Sequence, residues 1–166
     1  MTEAATTGLD GGSLRKAFGC FPSGVTAVCA LVDGVPVGMA ASSFTSVSLD
    51  PPLVSVCVAT ESATWARLRT SERVGVSVLG ADHEIACRQL AARDGDRFAG
   101  LDWREQRGGS VVLDGATLTL ECTLEDEVPA GDHYIALLRI HTVDVDLDVA
   151  PLVFHGSVFR QLVPID

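Results

Sequence analysis

Apolar positions change period several times along this chain, and each change marks an element. Leu14, Ala17, Phe18 and Phe21 fall at i, i+3, i+4 and i+7, the spacing of one helical face. Ser13 is the expected N-cap and Pro22 the stop. Residues 25–32 are almost continuously apolar, as in a strand buried on both faces. Asp33-Gly34 is a hairpin signal, with 35–39 as the returning strand. A further strand is expected at 53–58, a short helix capped by Ser62 and running to Arg69, and a strand at 74–79. Asp82 is read as the cap of a second helix ending near Ala92, and 93–109 as an irregular loop. Leu118, Leu120, Cys122 and Leu124 alternate with polar residues, which predicts a half-buried strand. The long β-like run 134–149 shifts phase near Arg139–His141, as a bulge would, and 152–159 is the last strand. Many strands, few helices and no βαβ repeat predict a mainly β fold, a closed antiparallel barrel.

Between the second and third strands lies GMAASSFTSVSLDPPL, Gly38 to Leu53. Its small side chains let another body approach the main chain, and its hydroxyls are short donors. Asp50-Pro51-Pro52 is expected to stop pairing, because proline cannot donate to a ladder. The expected form is a small-residue turn lining a cavity with backbone.

Composition narrows the chemistry. The 166 residues, 47% hydrophobic, suit a single domain over 13–166 behind a disordered lead over 1–12. A mean hydropathy of +0.30 comes with no apolar run long enough to span a membrane and no secretory signal at the N-terminus, so a cytoplasmic protein is expected. The net charge of −10 argues against nucleic-acid or anionic membrane partners. Lys16 is the only lysine, so a cationic phosphate clamp would be an arginine. Cys20, Cys29, Cys57, Cys87 and Cys122 have no C-x-x-C spacing and predict neither metal nor disulfides. No nucleophile elbow, H-E-x-x-H or Walker A loop is present, so the polar residues have to be weighed singly. His83 and His141 read as structural.

The small-residue stretch resembles the signature of the short-chain flavin reductases, the NAD(P)H-dependent partners of two-component monooxygenases. FPSGV (21–25), DRFAG (96–100), GDH (131–133) and PLVFH (151–155) resemble that family's other marks in the same order, so the resemblance spans roughly 14–162. It implies the flavin-binding split barrel, a homodimer, and hydride transfer from NADH or NADPH to FMN or FAD, with reduced flavin passed to a separate monooxygenase. It places the isoalloxazine near the backbone of Gly38, Met39, Ala40, Ala41, Ser42 and Ser43 and the last two hydroxyls. Ser46 and Ser48 would bind the ribityl chain or phosphate, or cap the turn. Cys57, Val58 and Ala59 would pack backbone on the flavin, and Ser62 and Thr64 would meet its phosphate at a helix start or act as ordinary caps. Arg88 and Gln89 stand where relatives carry an Arg-Phe pair, and Ala40 where many carry Thr. Arg97 would reach a phosphate or pair with nearby acids. His133, Phe154 and His155 fall on the nicotinamide side. Two other readings remain open: a flavin-binding module without nicotinamide turnover, and a split-barrel oxidase with a substrate of its own.

Overall fold

The computed structural model describes residues 8–165. Helix α1 (Gly11–Phe18) leads into strands β1 (Ser23–Gly24), β2 (Thr26–Val32), β3 (Val35–Ala41), β4 (Thr45–Leu49) and β5 (Pro52–Ala59). Helix α2 (Ala63–Leu68), β6 (Val74–Val78) and α3 (Glu84–Ala91) follow. Then come β7 (Trp103–Glu105), β8 (Val111–Leu113), β9 (Leu118–Ala130), β10 (His133–Val145), β11 (Val153–His155) and β12 (Val158–Arg160).

Seven strands form one sheet in the order β3-β2-β6-β9-β10-β5-β4, with antiparallel neighbours throughout. The sheet curls around one apolar cluster that takes Val28 from β2, Val37 and Ala41 from β3, Val56 from β5, Val76 from β6, Leu120 from β9 and Leu138 from β10. The sheet ends in β3 on one side and β4 on the other; β3 and β5 both face this core but share no ladder, so the barrel is split between β3 and the β5–β4 pair. Trp65 and Leu68 of α2, buried in the same cluster, plug one end. Trp65 Nε1 donates to Glu127 Oε1 at 2.6 Å, and Arg69 pairs with the other oxygen, so the plug is polar only where it is bonded.

A second core lies outside the barrel. Ala27 and Cys29 of β2 pack there with Ala86 and Leu90 of α3, Phe98, Val111 and Leu113. This accounts for the unbroken apolar run of β2, whose two faces meet two cores. β8 lies so close to β6 that a Cβ on Gly75 would sit 2.0 Å from the Val111 carbonyl oxygen.

Several expectations are corrected. Helix α1 starts at Gly11, inside the expected lead, and is capped by Asp10 rather than Ser13: the Asp10 carboxylate accepts from Gly12 N, Ser13 N and the Ser13 hydroxyl. Residues 1–7 lie outside the described residues. α1 buries none of its side chains, and Phe18 and Phe21 are 70% and 79% exposed. Asp82 caps nothing: it sits in a 3-10 turn, Ala81–His83, that precedes α3. Much of the small-residue stretch is strand, because β3 continues to Ala41 and β4 occupies Thr45–Leu49. Pro52 does not stop pairing, since it opens β5 opposite Leu49 of the end strand β4, where a missing donor matters little. Strand β9 is buried on its polar face too, where Thr119 and Glu121 are each 5% exposed and Arg73 pairs with Glu121. The final strand is a hairpin of β11 and β12 turned by Gly156-Ser157, both at positive φ. β7 and β8 were missed because each is only three residues long. The Asp33-Gly34 hairpin and the register shift in β10 stand as expected.

Gly75→Ala should destabilise the fold by at least ~2 kcal/mol, because its methyl meets backbone that cannot move aside. Gly24→Ala, with nothing within 4 Å of the added Cβ, should be close to neutral. Paired urea denaturation curves measure both.

Candidate functional site

The ribbon 38–43 runs along the open end of the sheet. Its side chains alternate between the two cores, and this fixes their size. At Gly38 an added Cβ would lie 2.6 Å from Cys29 Sγ and 2.9 Å from the Phe98 ring, so this glycine answers to packing as well as to any ligand. Met39 and Ala41 turn inward to the barrel core, and Ala40 packs on the outer one. Only the main chain of these residues and the two serines after them faces outward.

Ser43 pins the chain leaving β3 to β5. Its Oγ accepts from Cys57 N at 2.8 Å and donates to the Cys57 carbonyl at 3.2 Å, so one side chain continues the β4–β5 pairing beyond Thr45 opposite Ser55. The expected free hydroxyl at Ser43 is therefore engaged, whereas Ser42 is exposed and bonds to no group among the described residues. Cys57 and Ala59 turn outward and Val58 inward, so Val58 can offer only backbone.

Three clefts meet the ribbon. One of about 340 Å³ is lined by Ala40–Ser42, Arg88, Phe154 and Phe159. Its aromatic wall is a tilted Phe154–Phe159 pair with centroids 5.3 Å apart, and the Arg88 guanidinium lies 5.0 Å from the Phe159 centroid. Arg88 also bonds Glu84, which fixes it on that ring. A second cleft, about 470 Å³, runs along Ser42–Thr45 beneath Phe21. The third, about 320 Å³, starts at Gly38 and passes between Thr64, Arg67 and Arg97. Slots walled by aromatic rings, small side chains and open backbone suit a planar heterocycle, so the residues present fit a flavin.

Arg97 pairs with none of the acids around it. Its Nη1 donates to the Gly38 carbonyl at 3.0 Å and to Thr64 Oγ1 at 2.9 Å, tying the DRFAG loop to the ribbon and to α2. Ser62 is spent as a cap, accepting from Trp65 N at 3.1 Å. Gln89 turns away and donates to the Ala99 carbonyl. Ser46 and Ser48 lie on β4 and line none of the three clefts; they are strand residues rather than turn caps. His133 opens β10 opposite Ala59, at the end of β5. Thr60 holds the preceding turn by donating its N and Oγ1 to the Asp132 carbonyl. His133 Nδ1 meets Asp132 Oδ1 at 2.7 Å, and that bond holds the Asp132 carboxyl below the usual carboxylate range. Neither His133 nor His155, which ends β11, lines any of these three clefts. His83 and His141 have structural partners: His83 bridges Gly80 N and the Asp114 carbonyl, and His141 bonds Thr123 Oγ1.

Residues 18–163 match the flavin reductase like domain. The chain belongs to that family. It is a flavin reductase, an enzyme that passes a hydride from a reduced nicotinamide to a flavin. It is 36% identical over 160 residues to the reductase subunit HsaB of a flavin-dependent monooxygenase from Rhodococcus jostii, covering 96% of this chain and 82% of that one. It is 40% identical over 154 residues to actinorhodin polyketide dimerase of Streptomyces coelicolor, covering 92% and 87%. Among solved structures, the NADH:FAD oxidoreductase SgcE6 of Streptomyces globisporus C-1027, in complex with NAD and FAD fragments, superposes with a TM-score of 0.91 at 37% identity, over 97% of this chain and 98% of that one.

Phe159, Ser157 and Arg67 line clefts of the flavin reductase yet were not singled out in the sequence. Phe159 was within reach, because it stands five residues after Phe154, on the next strand of a tight hairpin. Arg67 carries no motif, and only the packing of α2 brings it to the ribbon.

The five thiols are free, and they differ. Burial pushes Cys29 and Cys122 up to about 12, while Cys20 and Cys57 are exposed. A thiol reagent at pH 8 should label Cys20 and Cys57 in the folded enzyme and the rest only on unfolding. Because Cys29 and Cys122 ionise more easily when unfolded, their contribution to stability is complete below the ordinary thiol range and is lost as pH rises toward 12. Melting temperature should fall across that alkaline window and fall less in Cys29→Ala.

Proposed function

We propose that this flavin reductase is the reducing half of a two-component oxygenase system, taking a hydride from NADH and releasing reduced FAD, or FMN, to a separate monooxygenase. Family membership and the ribbon at the split carry the reading together: the ribbon supplies backbone, and the cleft beside Phe154 and Phe159 supplies apolar walls. The flavin would accept the hydride at N5 and the nicotinamide would give it from C4, which is chemistry the two cofactors supply when bound. The chain's part is placement. Gly38–Ser43 and the Ser43–Cys57 clasp hold the ring plane, Phe154 and Phe159 wall one side, and Arg97 fixes the entrance near Gly38. His133, with Nδ1 engaged by Asp132, leaves Nε2 free to meet the nicotinamide carboxamide. SgcE6 supports NADH and FAD as the cofactor pair, and the HsaB relative supports a separate oxygenase. Five free thiols support a reducing, cytoplasmic setting. No helix among the described residues is long and apolar enough to cross a membrane.

A homodimer belongs to the same proposal. α1 leaves Phe18 and Phe21 bare, and Val143, Val145 and Leu147 form an apolar row, 50% to 90% exposed, at the far end of β10. Sedimentation at micromolar concentration should give twice the 17.4 kDa chain mass. An active monomer would contradict it.

The polyketide dimerase relative favours one alternative, a split-barrel oxidase with a substrate of its own. Steady-state NADH oxidation with and without free FAD or FMN separates the two: multiple turnovers that require added flavin are expected here. His133→Ala should raise the KM for the nicotinamide ~10-fold, the cost of one lost contact, with flavin affinity little changed. Stopped-flow reduction of the flavin-loaded variant reads this directly, and wild-type rates at every NADH concentration would remove His133 from the site.

A further inference from the structure

Strands β6, β9 and β10 carry a row of oxygens on the outer face of the sheet. Ser77, Thr119 and Asp144 stand opposite one another in the two ladders, so their side chains share that face. The pleat brings Asp146, two residues beyond Asp144, to the same side, and its N–H continues the pairing by bonding the Thr117 carbonyl at 2.9 Å. Strand β8 covers the inner end of the row, where Ser77 Oγ accepts from Leu113 N at 3.0 Å. Thr119, next in the row, is 5% exposed, and its Oγ1 has no hydrogen-bond partner among the described residues. A buried hydroxyl in that state points to a water or an ion that meets it.

Thr119 lines a cleft of about 190 Å³, with Arg104, Leu113, Asp144 and Asp146 around it. This cleft shares no residue with the three at the ribbon. Three carboxylates gather at this edge, on Asp114, Asp144 and Asp146, against one guanidinium. Arg104 pairs with Asp114, and its Nη2 stays 3.6 Å from Asp144 Oδ2. Asp146 forms no ion pair among the described residues; its Oδ1 accepts from Asp148 N at 3.1 Å, which leaves Oδ2. Three negative charges less one positive leave two unmatched beside a buried, unpartnered hydroxyl.

We infer that this cleft holds a hard divalent cation, Mg²⁺ or Ca²⁺, with Asp144 and Asp146 as carboxylate ligands at its mouth and the Thr119 hydroxyl as the neutral oxygen at its floor. The donors are all oxygen, without imidazole or thiolate, which selects hard cations over zinc or copper. No cluster of three or more His, Cys, Asp or Glu side chains that could hold a metal occurs among the described residues. The cation therefore keeps several of its own waters, as Mg²⁺ does where one or two carboxylates bind it. Arg104 is the built-in competitor, a cation already poised between Asp114 and Asp144. A bound metal ties the end of β10 to β9 beneath β8, and none of this rests on the flavin reductase reading.

The test uses the intact chain, stripped with chelator and dialysed free of it. Calorimetric titrations with MgCl2, CaCl2 and ZnCl2 are run beside melting curves, with ionic strength matched in NaCl. Wild type should bind one Mg²⁺ or Ca²⁺ with a Kd of roughly 0.1–1 mM. Its melting temperature should rise by ~3–6 °C at about 10 mM of that ion. Asp146→Asn should weaken the ion ~10-fold or more, and Asp144→Asn gives the same reading if the first change disturbs the turn to Asp148. Thr119→Val should also weaken it, yet leave the metal-free protein at least as stable, because an unpartnered hydroxyl is gone. Arg104→Gln should bind more tightly, since a competing charge is removed. Glu72→Gln, at an exposed carboxylate far from the row in sequence, should respond as wild type does. A melting shift reproduced by NaCl alone overturns the inference. So does an unchanged affinity in Asp146→Asn or Thr119→Val, a weaker affinity in Arg104→Gln, or binding of Zn²⁺ with none of Mg²⁺ or Ca²⁺.

Discussion

The split between β3 and β5 is the constraint on which the rest of the molecule depends. An open sheet ends in rows of unpaired N–H and C=O groups, and those groups must be covered or bonded. Here the sheet curls until β3 and β5 share a core. Ser43, in the chain that leaves β3, bonds both main-chain groups of Cys57 just beyond the β4–β5 ladder, and so ties that chain to β5. In the proposed site a flat ring lies against the backbone left open there.

The same constraint explains the small residues. The ribbon has a core on each side: Gly38 lies under Phe98 and Leu90, and Ala41 lies in the barrel. Large side chains would push the ribbon off one core or fill the gap. The loop carrying Phe98 is held over it by Arg97, which reaches back to the Gly38 carbonyl, so one residue braces the outer core against the ribbon.

Period and turn chemistry made much of this legible beforehand. The apolar run of β2, the Asp33-Gly34 turn and the phase shift of β10 depend on local rules, and they stand as read. β4 was read as loop because its serines are also good loop residues, and only pairing with β5 makes it a strand. Thr119 and Glu121 were read as exposed because alternation cannot reveal β8 lying across them. Along the ribbon, the sequence singles out Gly38, Ser43 and Arg97 but not the contacts they make. Each meets a partner at least nine residues away in sequence, at Cys29, Cys57 and Thr64. Arg67 and Phe159 belong to no motif, and only tertiary packing brings them to the clefts.

Removing the clasp tests the central claim most directly. Ser43→Ala deletes both bonds to Cys57 without adding bulk, and each such bond contributes about 0.5–1.5 kcal/mol. Titration of the purified variant with FAD and FMN, beside a far-ultraviolet circular dichroism spectrum and a melting curve, separates site from scaffold. If the clasp shapes the flavin site, flavin affinity falls ~10-fold while the spectrum stays that of a folded barrel. Wild-type affinity for both flavins in a variant that has lost only thermal stability would show that the clasp merely extends the β4–β5 pairing, and that the flavin lies elsewhere.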